Sequence, residues 1–199
     1  QGKPESDVKV VKRIKYKLNG VGTFEGRRTH LFTVRPGRKP KRLTEGEFDV
    51  ETARGVPNGK SIALITNMEE DADTSRVRDI YLISKGGEPT KLTESEHVIS
   101  DLSWSPDGER IAFIGHDQPE GLAINNDLWV MAAEGGEKMN LTKYFDRSLS
   151  IGVGCDVRVS TPNPGAVWSP DGECLYFVTA STPHANIYRV GAEGGLVEE

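Results

Sequence analysis

Trp104-Ser105-Pro106-Asp107-Gly108 returns 64 residues later as Trp168-Ser169-Pro170-Asp171-Gly172, and a degenerate copy, Val56-Pro57-Asn58-Gly59, lies 49 residues before the first. In such a turn Pro presets φ at the first corner. Asp offers a side-chain acceptor to the turn N–H groups, and Gly takes the positive φ that follows. Asp107 and Asp171 therefore read as turn residues, not catalytic acids. Three further markers keep step. Leu43-Thr44, Leu92-Thr93 and Leu141-Thr142 recur at 49-residue spacing. Gly86-Gly87 and Gly135-Gly136 are 49 apart, with Gly194-Gly195 following 59 later. His30-Leu31-Phe32, Asp79-Ile80-Tyr81, Asp127-Leu128-Trp129 and Asn186-Ile187-Tyr188 complete the set.

Each repeat reads as four strands. In residues 97–142, Val98, Leu102 and Trp104 alternate with polar residues. Ile111-Ala112-Phe113-Ile114 and Leu128-Trp129-Val130-Met131 are apolar on both faces, as inner strands sandwiched between neighbouring sheets must be. Residues 138–142 are more polar and form an outer strand. Four strands at a period of roughly 40–50 residues predict an all-β chain, a β-propeller. The approximate blades are residues 8–44, 47–93, 97–142 and 160–199, an incomplete part of a larger propeller whose last unit ends after its third strand. Such an arc exposes apolar blade faces and predicts self-association or partner docking.

The 199 residues are 36% hydrophobic and 28% charged, and no apolar run approaches the ~18 residues that cross a membrane. Cys155 and Cys174 read as free thiols in a reducing, cytoplasmic compartment, with a single bond between them as the alternative. The net charge of −5 hides a division: residues 1–42 hold 13 Lys and Arg against 3 Asp and Glu. In Arg13-Ile14-Lys15-Tyr16-Lys17-Leu18 the charges alternate with apolar residues, which predicts a half-buried strand with a basic outer face. Arginines interleaved with aromatics, of the kind that binds single strands, are absent, so no nucleic-acid partner is expected.

Chain direction alternates within a blade, so the regular turns share one face and the long loops share the other. Those loops are residues 67–78, 115–126 and 179–185. The connection after Leu141 joins them; it is 15 residues longer than its counterpart after Leu92. Departures from a repeat cluster on binding faces. Phe145, Asp146, Arg147 and Asp156 on this insertion are the candidate gating or interface residues. No catalytic, cofactor or metal residue is expected. Gly59-Lys60-Ser61-Ile62-Ala63 breaks the nucleophile-elbow pattern at its fifth position. His30, His97, His116 and His184 occupy different repeat positions without metal-like spacing, and read as solvated or hydrogen-bonded structural residues. Glu69-Glu70-Asp71-Ala72-Asp73 lacks the glycine and terminal glutamate of a calcium loop and reads as solvated.

Several of these stretches together resemble the propeller of acylaminoacyl peptidases, in the prolyl oligopeptidase family of serine peptidases. They are Leu43-Thr44-Glu45-Gly46-Glu47-Phe48-Asp49, the Trp-Ser-Pro-Asp-Gly turns and Ile111-Ala112-Phe113-Ile114-Gly115-His116-Asp117. Asn126-Asp127-Leu128-Trp129-Val130, Asn140-Leu141-Thr142 and Phe145-Asp146-Arg147-Ser148 complete them, from about Val8 to Gly195. The resemblance implies a propeller that covers the active site of a C-terminal α/β-hydrolase domain and admits short peptides. The Ser-Asp-His triad lies in that domain, and no residue here matches it. The first turn departs from the pattern, since Gly55 replaces the usual Trp. The alternative is a non-enzymatic propeller of the TolB type that binds partner proteins. On either reading, alanine substitutions across residues 145–156 should impair substrate or partner handling without lowering the melting temperature, and equal damage from the opposite turns would contradict this.

Overall fold

The computed structural model describes residues 8, 10–19, 22–24, 26–84, 87–121, 123–150, 164–181 and 183–199. Among them no helix is long and apolar enough to cross a membrane. The described strands form antiparallel meanders. In the first repeat β1 (Lys17–Leu18) pairs with β2 (Gly22–Thr23), and β3 (Phe32–Thr33) with β4 (Lys41–Arg42). β5 (Thr52–Gly55), β6 (Ser61–Thr66), β7 (Asp79–Ser84) and β8 (Thr90–Lys91) make a four-stranded sheet in chain order. β9 (Val98–Trp104), β10 (Arg110–His116), β11 (Asp127–Ala132) and β12 (Lys138–Asn140) make the next. β13 (Val167–Trp168), β14 (Cys174–Ser181) and β15 (His184–Gly191) make the last. The final unit does not end after its third strand. Arg189 and Glu198 exchange backbone hydrogen bonds of 2.7 and 2.9 Å, so the chain folds back past Gly194-Gly195 to begin an outer strand.

The alternation along β10 explains why both faces are apolar. Ile111 and Phe113 are fully buried with Ala63, Ile65 and Ile80 of the preceding sheet. Ala112 and Ile114 point the other way, into a cluster with Trp168, Leu175, Phe177 and Val190 of the following sheet. Each large side chain so buried contributes about 1.5–3 kcal/mol. Polar contacts set the spacing between sheets. Trp104 Nε1 donates to the Arg54 carbonyl at 3.3 Å, and Trp168 Nε1 to the Ser103 carbonyl at 3.4 Å. Arg110 stacks 5.0 Å over the Trp168 ring and donates to the Gly172 carbonyl at 2.8 Å.

The turns behave as their residues dictate. The carboxylate of Asp107 accepts from Ser105 Oγ at 2.5 Å and Glu109 N at 3.0 Å, with Gly108 at φ 77°. Those bonds hold the Asp107 carboxyl below the usual carboxylate range. The degenerate turn keeps its shape through Val56 N to the Ser61 carbonyl and Lys60 N to Asn58 Oδ1. Val56 is buried, and a methyl added to Gly108 would come within 3.4 Å of it, so packing survives the loss of the tryptophan. Gly115 answers a different need. The β9–β10 register slips between Ile114 and Gly115, and a Cβ at Gly115 would lie 2.5 Å from the Val98 carbonyl oxygen.

One polar device recurs. Thr44, Thr93 and Thr142, from the three Leu-Thr markers, are all buried. Their hydroxyls accept the N–H groups of Leu31, Ile80 and Leu128 at 2.9, 3.0 and 2.9 Å. Thr93 Oγ1 donates to Asp79 at 2.6 Å and Thr142 Oγ1 to Asp127 at 3.2 Å, while Thr44 Oγ1 meets His30 Nδ1 at 3.1 Å. The leucines donate their own N–H groups to Leu31, Ile80 and Leu128 carbonyls, each at 2.8 Å. Each Leu-Thr pair thus fastens the chain beyond the outer strand to the start of the third.

The N-terminal segment corrects the sequence expectation. Ile14, Tyr16 and Leu18 are exposed, whereas Arg13 and Lys15 are half-buried. Asp73 accepts the N–H groups of Ile14 at 2.6 Å and Lys15 at 3.1 Å, and Lys15 Nζ donates to the Ala72 and Ser75 carbonyls at 2.6 and 2.8 Å. The 67–78 loop supplies acceptors that hold the charges inward, and the alternation is inverted.

Replacing Thr142 by Val, which keeps the shape, should cost about 1–3 kcal/mol because the Leu128 N–H is left buried without an acceptor. Thr142→Ser should recover most of it in urea denaturation. Gly115→Ala should destabilise by about 1–3 kcal/mol through the forced backbone shift, read in the same titration.

Candidate functional site on the loop face

The long connection after the third sheet runs back over the 115–126 loop and is pinned there. Asn126 N donates to Ser148 Oγ at 3.1 Å, and Leu149 N to the Asn126 carbonyl at 2.9 Å. Leu149 is buried in the core shared with the last sheet, and Thr179 Oγ1 donates to the Ser148 carbonyl at 2.6 Å. The two loops enclose a groove of about 490 Å³. His116, Asp117 and Asn125 line it from one side, Lys143, Tyr144 and Asp146 from the other.

Four residues of the insertion were expected to act together, and the structure separates their roles. Phe145 packs against Phe177 and Tyr188, with ring centroids 5.9 and 5.3 Å away. Arg147 lies over the Phe145 and Tyr188 rings at 5.6 and 5.7 Å and donates to Tyr188 Oη at 2.6 Å. Tyr188 Oη in turn donates to Glu199 at 2.9 Å. Phe145 and Arg147 therefore anchor the loop, so alanine at either, or at buried Leu149, should lower the melting temperature, against the sequence expectation for residues 145–156; exposed Asp146 lines the groove and takes a long 3.4 Å bond from Asn125 Nδ2. Asp156 lies outside the described residues. Tyr144, 93% exposed, was not singled out from the sequence. Two adjacent aromatics look alike until the packing shows which one is buried.

His116 is buried and accepts from Gln118 N at 3.4 Å through Nδ1; burial, then the charge of Arg76, pushes its pKa below the ordinary value. Asp127 is occupied by Asn140 Nδ2 at 2.8 Å and by Thr142. Ser61, from the broken elbow pattern, shares a 3.1 Å hydrogen bond with Ser84, and no base bonds it among the described residues. No cluster of three or more His, Cys, Asp or Glu able to hold a metal occurs among the described residues.

His97 differs from its expected role. It is 3% exposed, and neither ring nitrogen has a hydrogen-bond partner among the described residues. Its ring stands edge-on to Trp129 and Phe113, with centroids at 4.8 and 5.6 Å. Burial, then the Lys138 charge, lowers its pKa, against the opposing pull of Asp117, Glu96 and Asp79.

The profile of the dipeptidyl peptidase IV (DPP IV) N-terminal region matches residues 56–193. The chain belongs to this family. Its fold is a β-propeller, as the repeats predicted, and solved structures agree. Pyrococcus horikoshii acylaminoacyl peptidase is similar with TM-score 0.62 and 16% identity, over 100% of this chain and 28% of that one. TolB from Acinetobacter baumannii gives TM-score 0.55 and 21% identity, over 81% and 34%. The β-propeller domain of the Trilobed protease from Pyrococcus furiosus gives 0.52 and 19%, over 81% and 43%. The chain thus spans 28–43% of these structures, and at such identities the likeness establishes the fold. No curated protein matches the sequence.

The lowered pKa of His97 fixes a sign. The unfolded chain binds this proton more readily than the folded one, so the stability contribution is complete above the unfolded value and is lost as pH falls below it toward the folded value. Melting temperature should fall between about pH 7.5 and pH 5, and His97→Phe should shrink that fall. An unchanged pH dependence would assign it to His116 or His30, which shift in the same direction.

Proposed function

We propose that this chain is the propeller part of a serine peptidase of the acylaminoacyl-peptidase kind, and that its loop face gates short peptides toward a C-terminal hydrolase domain of the same protein. The observation that carries this reading is membership of the peptidase N-terminal family over residues 56–193. The loop groove supports it, because it sits where the chain departs most from its repeat and pairs an exposed aromatic with both signs of charge. In this division of labour the hydrolase domain supplies the serine nucleophile and oxyanion hole. The propeller selects by size and holds the peptide in place, so its binding energy serves orientation.

We propose a reducing, cytoplasmic setting, in which Cys155 and Cys174 are free thiols; thiol titration of protein taken directly from cells would test this. The last sheet turns Val167, Tyr176 and Ile187 away from the third-sheet core, and all three are exposed. For the 199-residue chain we propose self-association through this face, which a further blade would cover in the whole protein; a sedimentation coefficient of this chain independent of concentration would contradict it.

Sequencing the gene beyond Glu199 tests the main reading. Further blades and a G-x-S-x-G elbow with later Asp and His support it, whereas an early stop favours a TolB-like binding module. In the whole protein, Tyr144→Ala should reduce discrimination between short and long peptides by about tenfold in kcat/KM, some 1.4 kcal/mol, without altering the melting temperature. Unchanged length selectivity would remove the groove from the gating role.

A further inference from the structure

The face of regular turns, opposite the groove, carries unlike charges on different repeats. In the first repeat the hairpin of β3 and β4 reads Val34-Arg35-Pro36-Gly37-Arg38-Lys39-Pro40-Lys41. Pro36 and Gly37 occupy the corners of a tight turn, closed by Arg38 N to the Arg35 carbonyl at 2.9 Å with Gly37 at φ 72°. That turn sets Arg35 and Arg38 side by side at the tip, and the two prolines stiffen it. Arg35, Arg38, Lys39 and Lys41 are all exposed, and none pairs with a carboxylate among the described residues. Arg13 and Arg28 of the same repeat are, by contrast, ion-paired. The matching end of the third sheet is acidic. Ala133 N donates to the Glu109 carbonyl at 2.9 Å, which draws the β11–β12 hairpin against the β9–β10 turn. Asp107, Glu109, Glu134 and Glu137 gather there, all exposed. The cations beside them are already committed: Arg110 to Glu193 at 2.8 Å, and Lys138, its side chain 11% exposed, to Glu96 at 3.5 Å.

We infer that the turn face pairs with a second copy of this chain about a two-fold axis, the basic hairpin of each copy meeting the acidic end of the third sheet of the other. Charge complementarity identifies the occupant. Both hairpins join the third and fourth strands of their repeats, so they hold equivalent positions in the propeller. An axis lying in the turn face and passing over the second repeat exchanges the first repeat with the third, and brings each basic tip onto an acidic one. Such a contact is self-complementary and makes every pairing twice. Exposed ion pairs are individually weak, and the doubling offsets this. A hairpin already stiffened by its prolines loses little freedom on docking. Val34 and Met139, both exposed beside the clusters, add apolar contact. The surface is distinct from the exposed face of the last sheet, and the dimer leaves the loop groove open.

Sedimentation equilibrium of the 199-residue chain tests this. Between about 0.05 and 0.5 M NaCl the dimer Kd should rise at least about tenfold, because salt screens exposed charges and leaves apolar contacts intact. At the lower salt, Arg38→Glu with Lys39→Glu should weaken association by a similar factor, and so should Glu134→Lys with Glu137→Lys, with melting temperatures unchanged. Mixed in equal amounts, the two double variants should associate again, since each then offers the other an opposite charge at both contacts. Association as strong in either double variant as in the unaltered chain overturns the dimer, and so does a folded pair that fails to recover on mixing. The salt arm needs no variant: an unaltered chain that stays monomeric at the lower salt, or associates equally at both, overturns it as well, the second outcome assigning the contact to the last sheet. A monomer that sediments with phosphatidylserine vesicles gives the basic hairpin to a lipid surface and overturns the dimer too.

Discussion

A threonine hydroxyl out of reach of water holds each complete repeat together. A lone hydroxyl in the core is a liability, but here it is saturated: it receives an amide proton from the start of the third strand and gives its own to an aspartate there. The outer strands are short, two or three residues in β8 and β12, and their own ladders are too brief to fix where the chain leaves the sheet. The Leu-Thr junction does that, and the connection that follows starts from a defined place. The connection over the groove begins at such a junction, and the 67–78 loop ends at the aspartate that another one holds. Asp79 joins Lys91 at 3.1 Å near the 67–78 loop, and Asp127 joins Asn140 beside the groove.

Inner strands with two apolar faces then make the sheets dependent on one another. A sheet that presents Ile111 and Phe113 to one neighbour and Ala112 and Ile114 to the other leaves one face in water unless both neighbours are in place. The tryptophan N–H to the preceding sheet's carbonyl gives this stacking its register, since a sliding sheet would break a directional bond. The first repeat lacks both devices: its described strands are two residues long and residues 8–44 contain no tryptophan. Salt bridges and loop carbonyls take over, and its apolar side chains Ile14, Leu18 and Phe32 face outward.

The all-β fold, strand order and turn chemistry were legible because each depends on residues close in sequence. The Leu-Thr and Asp-Ile-Tyr markers were visible separately, yet their hydrogen bonds join residues 14 or 15 apart across two strands, which spacing alone does not pair. The N-terminal alternation announced two faces but not which was buried. That choice belongs to Asp73 and the Ala72 carbonyl, 57 to 59 residues away. His97 was illegible for a similar reason: nothing local distinguishes a solvated histidine from one pressed against Trp129. In the candidate site the loop was found by its excess length, whereas the division between anchoring and groove-lining residues emerged only from packing.

That division has an evolutionary reading. Along residues 143–147 the chain places Tyr144 and Asp146 in solvent and Phe145 and Arg147 against the last sheet. Selection can therefore rewrite the exposed pair while the intervening pair keeps the backbone where it is. Lineages sharing this propeller are free to diverge in what they admit at a pace set by the alternate positions, with little penalty in foldability, and a comparison of descendants should find variable and constant sites interleaved one by one.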